Sequence, residues 1–279
     1  MKGALAAGPN RDYAIGLARA FGGAIIFGLP LLMTMEMWSM GHALDPLRLL
    51  LFVALNFVVL VFLSRFGGFE YTASLFEDVL DALAAYAVGI VAATAVLALF
   101  AVIETKQPLQ HLVGLIAIQA VPASFGAMIA RKQLSSGDPE EDDEHAARAA
   151  GYAGQLFLMM AGALFLAFNM APTEEMILIG YKMTAWHSLA LILVSLLALH
   201  ILVFAAGFSG QKSAPEGYGV GRRLVAFTIP GYAIALLVSV YILWTFGRTD
   251  GVELAAIAGT TVVLAFPASI GAAIARLVV

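Results

Sequence analysis

The feature that most constrains this chain is a series of eight long stretches that contain no Asp, Glu, Lys or Arg. A helix needs about 20 apolar residues to cross roughly 30 Å of hydrocarbon, and each stretch meets or approaches that length. Only 12% of the residues are charged, against about 25% in soluble domains, which is too few to cover a globule exposed to water. The sequence therefore predicts an all-α, polytopic transmembrane bundle of eight helices. The predicted spans are residues 20–35, 49–64, 82–103, 107–130, 149–173, 183–211, 224–247 and 254–275.

Residue content also excludes several kinds of chemistry. The chain has no cysteine, so disulfides, thiolate metal sites and cysteine nucleophiles are ruled out. Its net charge of −4 gives no reason to expect nucleic acid as a partner. The sequence holds no HExxH metal motif, no P-loop and no dinucleotide fingerprint. We therefore expect that the protein is not an enzyme, and we expect no catalytic residue, cofactor or metal site.

The distribution of positive charge predicts the orientation of the chain in the membrane. With eight spans, both termini lie on one side, and that side carries eleven Lys and Arg residues against four on the other. Cytoplasmic loops carry the excess of Lys and Arg, so we expect both termini in the cytoplasm. Trp38, Trp186 and Trp244 all fall at predicted outer ends of helices, as an interfacial aromatic belt would place them.

The second half of the chain repeats the first. Residues 120–131 read AVPASFGAMIAR and residues 265–276 read AFPASIGAAIAR, with nine of twelve positions identical. A shift of 139 positions overlays residues 13–69 on the second half without a gap. We therefore predict a first four-helix repeat at 13–131, an acidic cytoplasmic linker at 132–149, and a second repeat at 150–276. Because each repeat has an even number of spans, the two copies should be parallel, related by a pseudo-twofold axis along the membrane normal.

The repeat, the eight spans and the acidic loop at 138–144 are the features by which this chain resembles a family of bacterial integral membrane proteins of unassigned function. The resemblance covers the chain from Tyr13 to Arg276 and is one of overall pattern. It implies a location in the bacterial inner membrane. It implies no substrate and no site residues.

Two acids are matched by the repeat beside the predicted membrane core. Glu36 and Glu175 occupy equivalent positions near the outer ends of the first and fifth spans. Two facing carboxylates bind a cation or share a proton, because proximity raises the pKa of one of them. The alternative is that both acids sit at the headgroup level and only end their helices.

Four polar residues lie within spans and complete the set of candidate ion or solute site residues. His200 falls in the inner part of the sixth span, where a histidine is costly unless it has a partner. Asn56 and Ser195 are matched by the repeat in mid-span, and Gln119 lies in the fourth span. These side chains either line a polar path or form hydrogen bonds between helices.

The leading hypothesis for function is a transporter or channel for a small ion or solute, with a path at the interface of the two repeats. The alternative is a membrane protein that transports nothing, such as a structural subunit, a sensor or a partner-binding module. The expected partners are the lipid bilayer, a small cation or solute, and a second copy of the chain in a homo-oligomer.

Overall fold

The protein is helical throughout the part that the structure, a computed structural model, describes: residues 9–67, 74–104, 106–133, 139–204 and 220–278. The all-α prediction is confirmed for these ranges. The chain divides into two compact units. The first comprises Met1–Ala43 and Leu50–Gly137, and the second comprises Leu44–Leu49 and Asp138–Val279.

Eight helices in the described ranges are long and apolar enough to cross a membrane, which confirms the predicted number. Each overlaps one predicted stretch. The apolar spans are Ala14–Leu32, Pro46–Arg65, Leu75–Leu99, Leu109–Ala130, Gly151–Met170, Ala185–Phe204, Gly221–Thr245 and Leu254–Arg276.

The helices of the first part of the chain are α1 (Pro9–Leu32), α2 (Met35–Ala43), α3 (Pro46–Gly67), α4 (Leu75–Leu99) and α5 (Leu109–Gln133). Those that follow are α6 (Pro139–Met170), α7 (Glu174–Lys182), α8 (Ala185–Phe204), α9 (Val220–Arg223), a π-helical turn (Leu224–Thr228), α10 (Ile229–Thr245) and α11 (Leu254–Val278).

The acidic segment at 138–144 falls at the start of α6, which begins at Pro139. Gly151 interrupts α6 with a φ of 55°, a left-handed conformation that glycine adopts without a steric cost. Asp138 and the side chains of residues 131–150 lie outside the described residues, so the predicted role of the acidic linker stays a prediction.

The structure contains two short helices, α2 and α7, that the sequence did not predict. The predicted first and fifth spans continued to the residues just before Glu36 and Glu174. The first span instead ends at Leu32 and the fifth at Met170. At each end a threonine hydroxyl donates to the carbonyl three residues earlier: Thr34 to Leu31, and Thr173 to Met170, both at 2.9 Å. Hydroxyls that bond local carbonyls compete with helix continuation, so the chain turns here and starts a new helix.

In the first unit, α5 is the central packing helix. In its most apolar 18-residue stretch 72% of the residues are buried, against 28–50% in the other three spans up to residue 130. Glycine allows the close approach of α1: a Cβ on Gly23 would lie 2.6 Å from the carbonyl oxygen of Gly126. The short helix α2 approaches equally closely, since a Cβ on Gly41 would lie 2.6 Å from the Cα of Leu115. Small residues serve this purpose in lipid, where the hydrophobic effect does not drive helices together.

In the second unit, α11 is the central packing helix. In the most apolar 18-residue stretch of α11, 61% of the residues are buried, against 17–44% in the other spans after residue 150. This helix packs against α6, α7, α8 and α10. A Cβ on Gly162 of α6 would clash with the carbonyl oxygen of Gly271. A Cβ on Gly180 of α7 would lie 2.6 Å from Thr260 Oγ1. The fourth and eighth spans are thus the most buried spans of their respective units.

Candidate functional site

The six residues predicted as site candidates are divided between the two units, three in each. Glu36 lies in the first turn of α2 and is half-buried, whereas Glu175 lies in the first turn of α7 and is exposed. Carboxylates in the first turn of a helix interact favourably with the helix dipole. The structure therefore gives each acid a local role at a helix start.

Asn56 and Ser195 are fully buried in α3 and α8, and each bonds to its own helix. Asn56 Nδ2 donates to the carbonyl oxygen of Phe52 at 2.7 Å, and Ser195 Oγ donates to that of Leu191 at 2.7 Å. Both bonds reach back four residues, one helical turn. The same local geometry occurs at two positions that the sequence repeat equates.

Gln119 differs from these two residues. It is 0% exposed and lies near the middle of the α5 span. In the described part of the chain, neither the nitrogen nor the oxygen of its side-chain amide has a hydrogen-bond partner. One turn earlier, Leu115 packs into an apolar cluster with Leu32 and Leu97. A buried donor and a buried acceptor without partners each cost about 1–3 kcal/mol of stability. A polar ligand that forms hydrogen bonds with this amide would remove that cost.

His200 is held by the π-helical turn. Its Nδ1 lies 2.8 Å from Thr228 Oγ1, and Thr228 is the last residue of that turn. The cause of the turn is visible in the sequence. Pro230 has no N–H to donate to the carbonyl of Ala226, four residues earlier, and the helix widens there. Tyr152 of α6 compensates, because its hydroxyl donates to that carbonyl at 2.7 Å.

Beside this turn lies a group of side chains that the sequence analysis did not identify, here called the Arg–Phe cluster: Arg223, Arg276, Phe204 and Phe227. Arg276 Cζ lies 3.9 Å from the ring centroid of Phe227 and 4.7 Å from that of Phe204. Arg223 Cζ lies 5.5 Å from the Phe204 centroid. Two guanidinium groups thus gather about one ring in the second unit.

The sequence does not predict this cluster, because there both arginines count only toward the positive charge on the predicted cytoplasmic side. One signal was available: a proline within a span, since Pro230 predicts a local departure from regular helix. The proline does not show which side chains meet there, because Phe204, Phe227 and Arg276 come from separate helices.

The comparisons with known proteins agree with this architecture. No curated protein and no solved structure matches the chain. A family described as "Putative integral membrane protein (DUF2391)" matches residues 16–279, which is most of the chain. The chain therefore belongs to this family of integral membrane proteins of unknown function.

Proposed function

We propose that the protein moves a small ion or polar solute across the membrane. The observation that carries the proposal is Gln119, a fully buried amide in mid-span without a hydrogen-bond partner in the described ranges. Polar groups inside membrane spans are costly, and those that line substrate pathways keep their polarity because a passing solute uses it. An amide offers both a donor and an acceptor, so it serves cations, anions and neutral polar solutes alike.

The proposal includes a parallel arrangement of two four-span repeats. Its support is that the glycine contacts of the first unit have counterparts in the second. Gly162 lies 139 positions after Gly23, and Gly271 lies 145 positions after Gly126. The crossing of α2 with α5 at Gly41 and Gly114 likewise matches that of α7 with α11 at Gly180 and Gly259, with the same two shifts. The Lys and Arg bias supports termini in the cytoplasm. The bacterial inner-membrane location that the family resemblance implies belongs to the same proposal.

Reconstitution tests the proposal. Purified protein in liposomes is assayed for uptake of a panel of small cations, anions and neutral polar solutes, with protein-free liposomes as the control. We expect at least one class of solute to cross faster in the presence of the protein. If every solute in the panel enters both preparations at the same rate, the transport proposal is wrong.

If the solute is a cation, Glu36 and Glu175 should raise its rate of entry. Both carboxylates reach solvent, so their effect is electrostatic attraction, which screening by salt weakens. The double variant Glu36→Gln/Glu175→Gln is expected to lower cation flux about tenfold at low salt. The difference should shrink at high salt.

The control for this pair is Glu104→Gln, which removes an exposed acid after α4 on the same predicted side of the membrane. It should leave the flux nearly unchanged. Equal flux in the double variant and the wild type at low salt would show that the two acids act only at their helix starts.

A further inference from the structure

We infer that the Arg–Phe cluster of the second unit binds a phosphate oxyanion, taken either from a phospholipid headgroup or from a soluble phosphate compound. The inference concerns a binding site and does not depend on the transport proposal.

Two arginine donors of the cluster lack hydrogen-bond partners in the described ranges. The buried Nη1 of Arg276 and the buried Nε of Arg223 have no hydrogen-bond partner in the described part of the chain. Among the described residues, the Arg276 guanidinium donates from Nη2 to Gln155 Oε1, at 3.3 Å. Leaving a charged donor buried and unpaired is more costly than leaving a neutral one, so the fold holds two donors ready for an acceptor.

The two arginines of the cluster also bring positive charges together. The ion pairs found within the described ranges involve other arginines, so no described carboxylate neutralises Arg223 or Arg276. Both guanidinium carbons nevertheless lie within 5.5 Å of the same ring, that of Phe204. Like charges brought together repel each other, and an anion bound between them removes that repulsion.

The chemistry of the cluster also suits a phosphate. Arg276 Cζ lies over the rings of Phe204 and Phe227, which carry no polar acceptor atoms, so the rings leave the N–H donors of the guanidinium to another acceptor. Arginine forks match the spacing of phosphate oxygens, and two forks suit a group with several oxygens. The phenylalanine rings also hold the arginines in place through cation–π attraction.

The sequence places the two arginines near one membrane surface. Arg223 directly precedes the predicted span 224–247, and Arg276 directly follows the predicted span 254–275. At these predicted span ends, the depth of the headgroups, phospholipid phosphates and soluble anions both have access. The π-helical turn supplies Phe227 to the cluster, and π-bulges occur often at functional sites.

The test uses the whole protein in dodecyl maltoside, an uncharged detergent without phosphate. In one arm, inorganic phosphate is titrated while the melting temperature is measured, with chloride at equal ionic strength as the reference. In the other arm, binding of phosphatidylglycerol is measured by native mass spectrometry. Saturable binding of inorganic phosphate supports a soluble source, and saturable binding of the lipid alone supports a headgroup.

The variants Arg276→Gln and Arg223→Gln should each weaken binding of the active probe at least about tenfold, which corresponds to about 1.4 kcal/mol. Arg276→Lys keeps the charge without the fork and should lie between wild type and Arg276→Gln. The matched control is Arg222→Gln, an exposed neighbour in α9 that should change binding less than twofold. Each variant is first checked for the elution volume and helical content of the wild type. If Arg276→Gln does not fold, the binding measured for Arg223→Gln tests the inference.

Two results would overturn the inference. One is that neither probe binds the wild-type protein saturably. The other is that all three glutamine variants weaken binding equally, since that describes general attraction to positive charge rather than a built site.

Discussion

Leucine in place of Gly23 or Gly162 is expected to destabilise the protein by about 3 kcal/mol or more, which lowers the melting temperature by about 6–12 °C. A Cβ at Gly23 would lie 2.6 Å from the Gly126 carbonyl oxygen, and one at Gly162 would clash with that of Gly271. Because the obstacle is backbone, no side-chain rotation relieves the overlap, and the two helices must separate. Thermal melting of purified variants in detergent measures the effect.

The control for this prediction is the adjacent glycine. A Cβ at Gly22 would have nothing within 4 Å, so Gly22→Leu should melt within a few degrees of the wild type. Equal melting temperatures for Gly22→Leu and Gly23→Leu would contradict the close crossing of α1 and α5.

Replacement of Gln119 by Met is expected to lower transport at least tenfold and to preserve or raise stability. Methionine has a similar length and flexibility and fills the same space, while it removes a donor and an acceptor that have no partner in the described ranges. Loss of two unsatisfied polar groups is neutral or stabilising, by about 1 kcal/mol. Loss of the only polar function of this side chain should lower flux at least tenfold. The flux of reconstituted protein and the melting temperature are measured on the same preparation.

The matched control for Gln119→Met is Asn169→Met, a second amide within a span. Asn169 Nδ2 donates to the carbonyl oxygen of Phe165 at 2.8 Å, so its amide is already satisfied by its own helix. This variant should keep its flux. A Gln119→Met protein that transports at the wild-type rate, or that melts well below the wild type, would identify Gln119 as a structural residue.

The spans were predictable because hydropathy is a property of consecutive residues. Their ends were less so, as the first span shows. The prediction started at residue 20, just after Arg19, but helix α1 already begins at Pro9, since backbone hydrogen bonds continue past a charged side chain. The prediction also ended at residue 35, whereas the helix ends at Leu32, because Thr34 bonds the carbonyl of Leu31. A threonine signals this end only when its rotamer is known.

The site residues were predictable as polar positions but not by their surroundings. Sequence alone identified Asn56, Ser195 and Gln119 together as uncharged polar side chains within spans. Only the fold separates them, because Asn56 and Ser195 bond their own helices while Gln119 does not do so in the described ranges. Whether a buried polar group has a partner depends on tertiary contacts, and no local pattern encodes it.

The central claim is that two four-span units enter the membrane in the same orientation, and cysteine labelling tests it most directly. The chain has no native cysteine, so single cysteines report one position each. Ala43 and Lys182 are exposed at the ends of α2 and α7, and Leu75 and Gly221 are exposed at the starts of the third and seventh spans. The 139-position shift of the repeat equates Ala43 with Lys182, and Leu75 and Gly221 lie toward the N-terminal side of the third span of each predicted repeat.

In sealed right-side-out membrane vesicles, an impermeant maleimide should label Ala43→Cys and Lys182→Cys. It should label Leu75→Cys and Gly221→Cys only after the membrane is permeabilised. If Ala43→Cys and Lys182→Cys react from opposite faces, the two units are inverted relative to each other and the account is wrong.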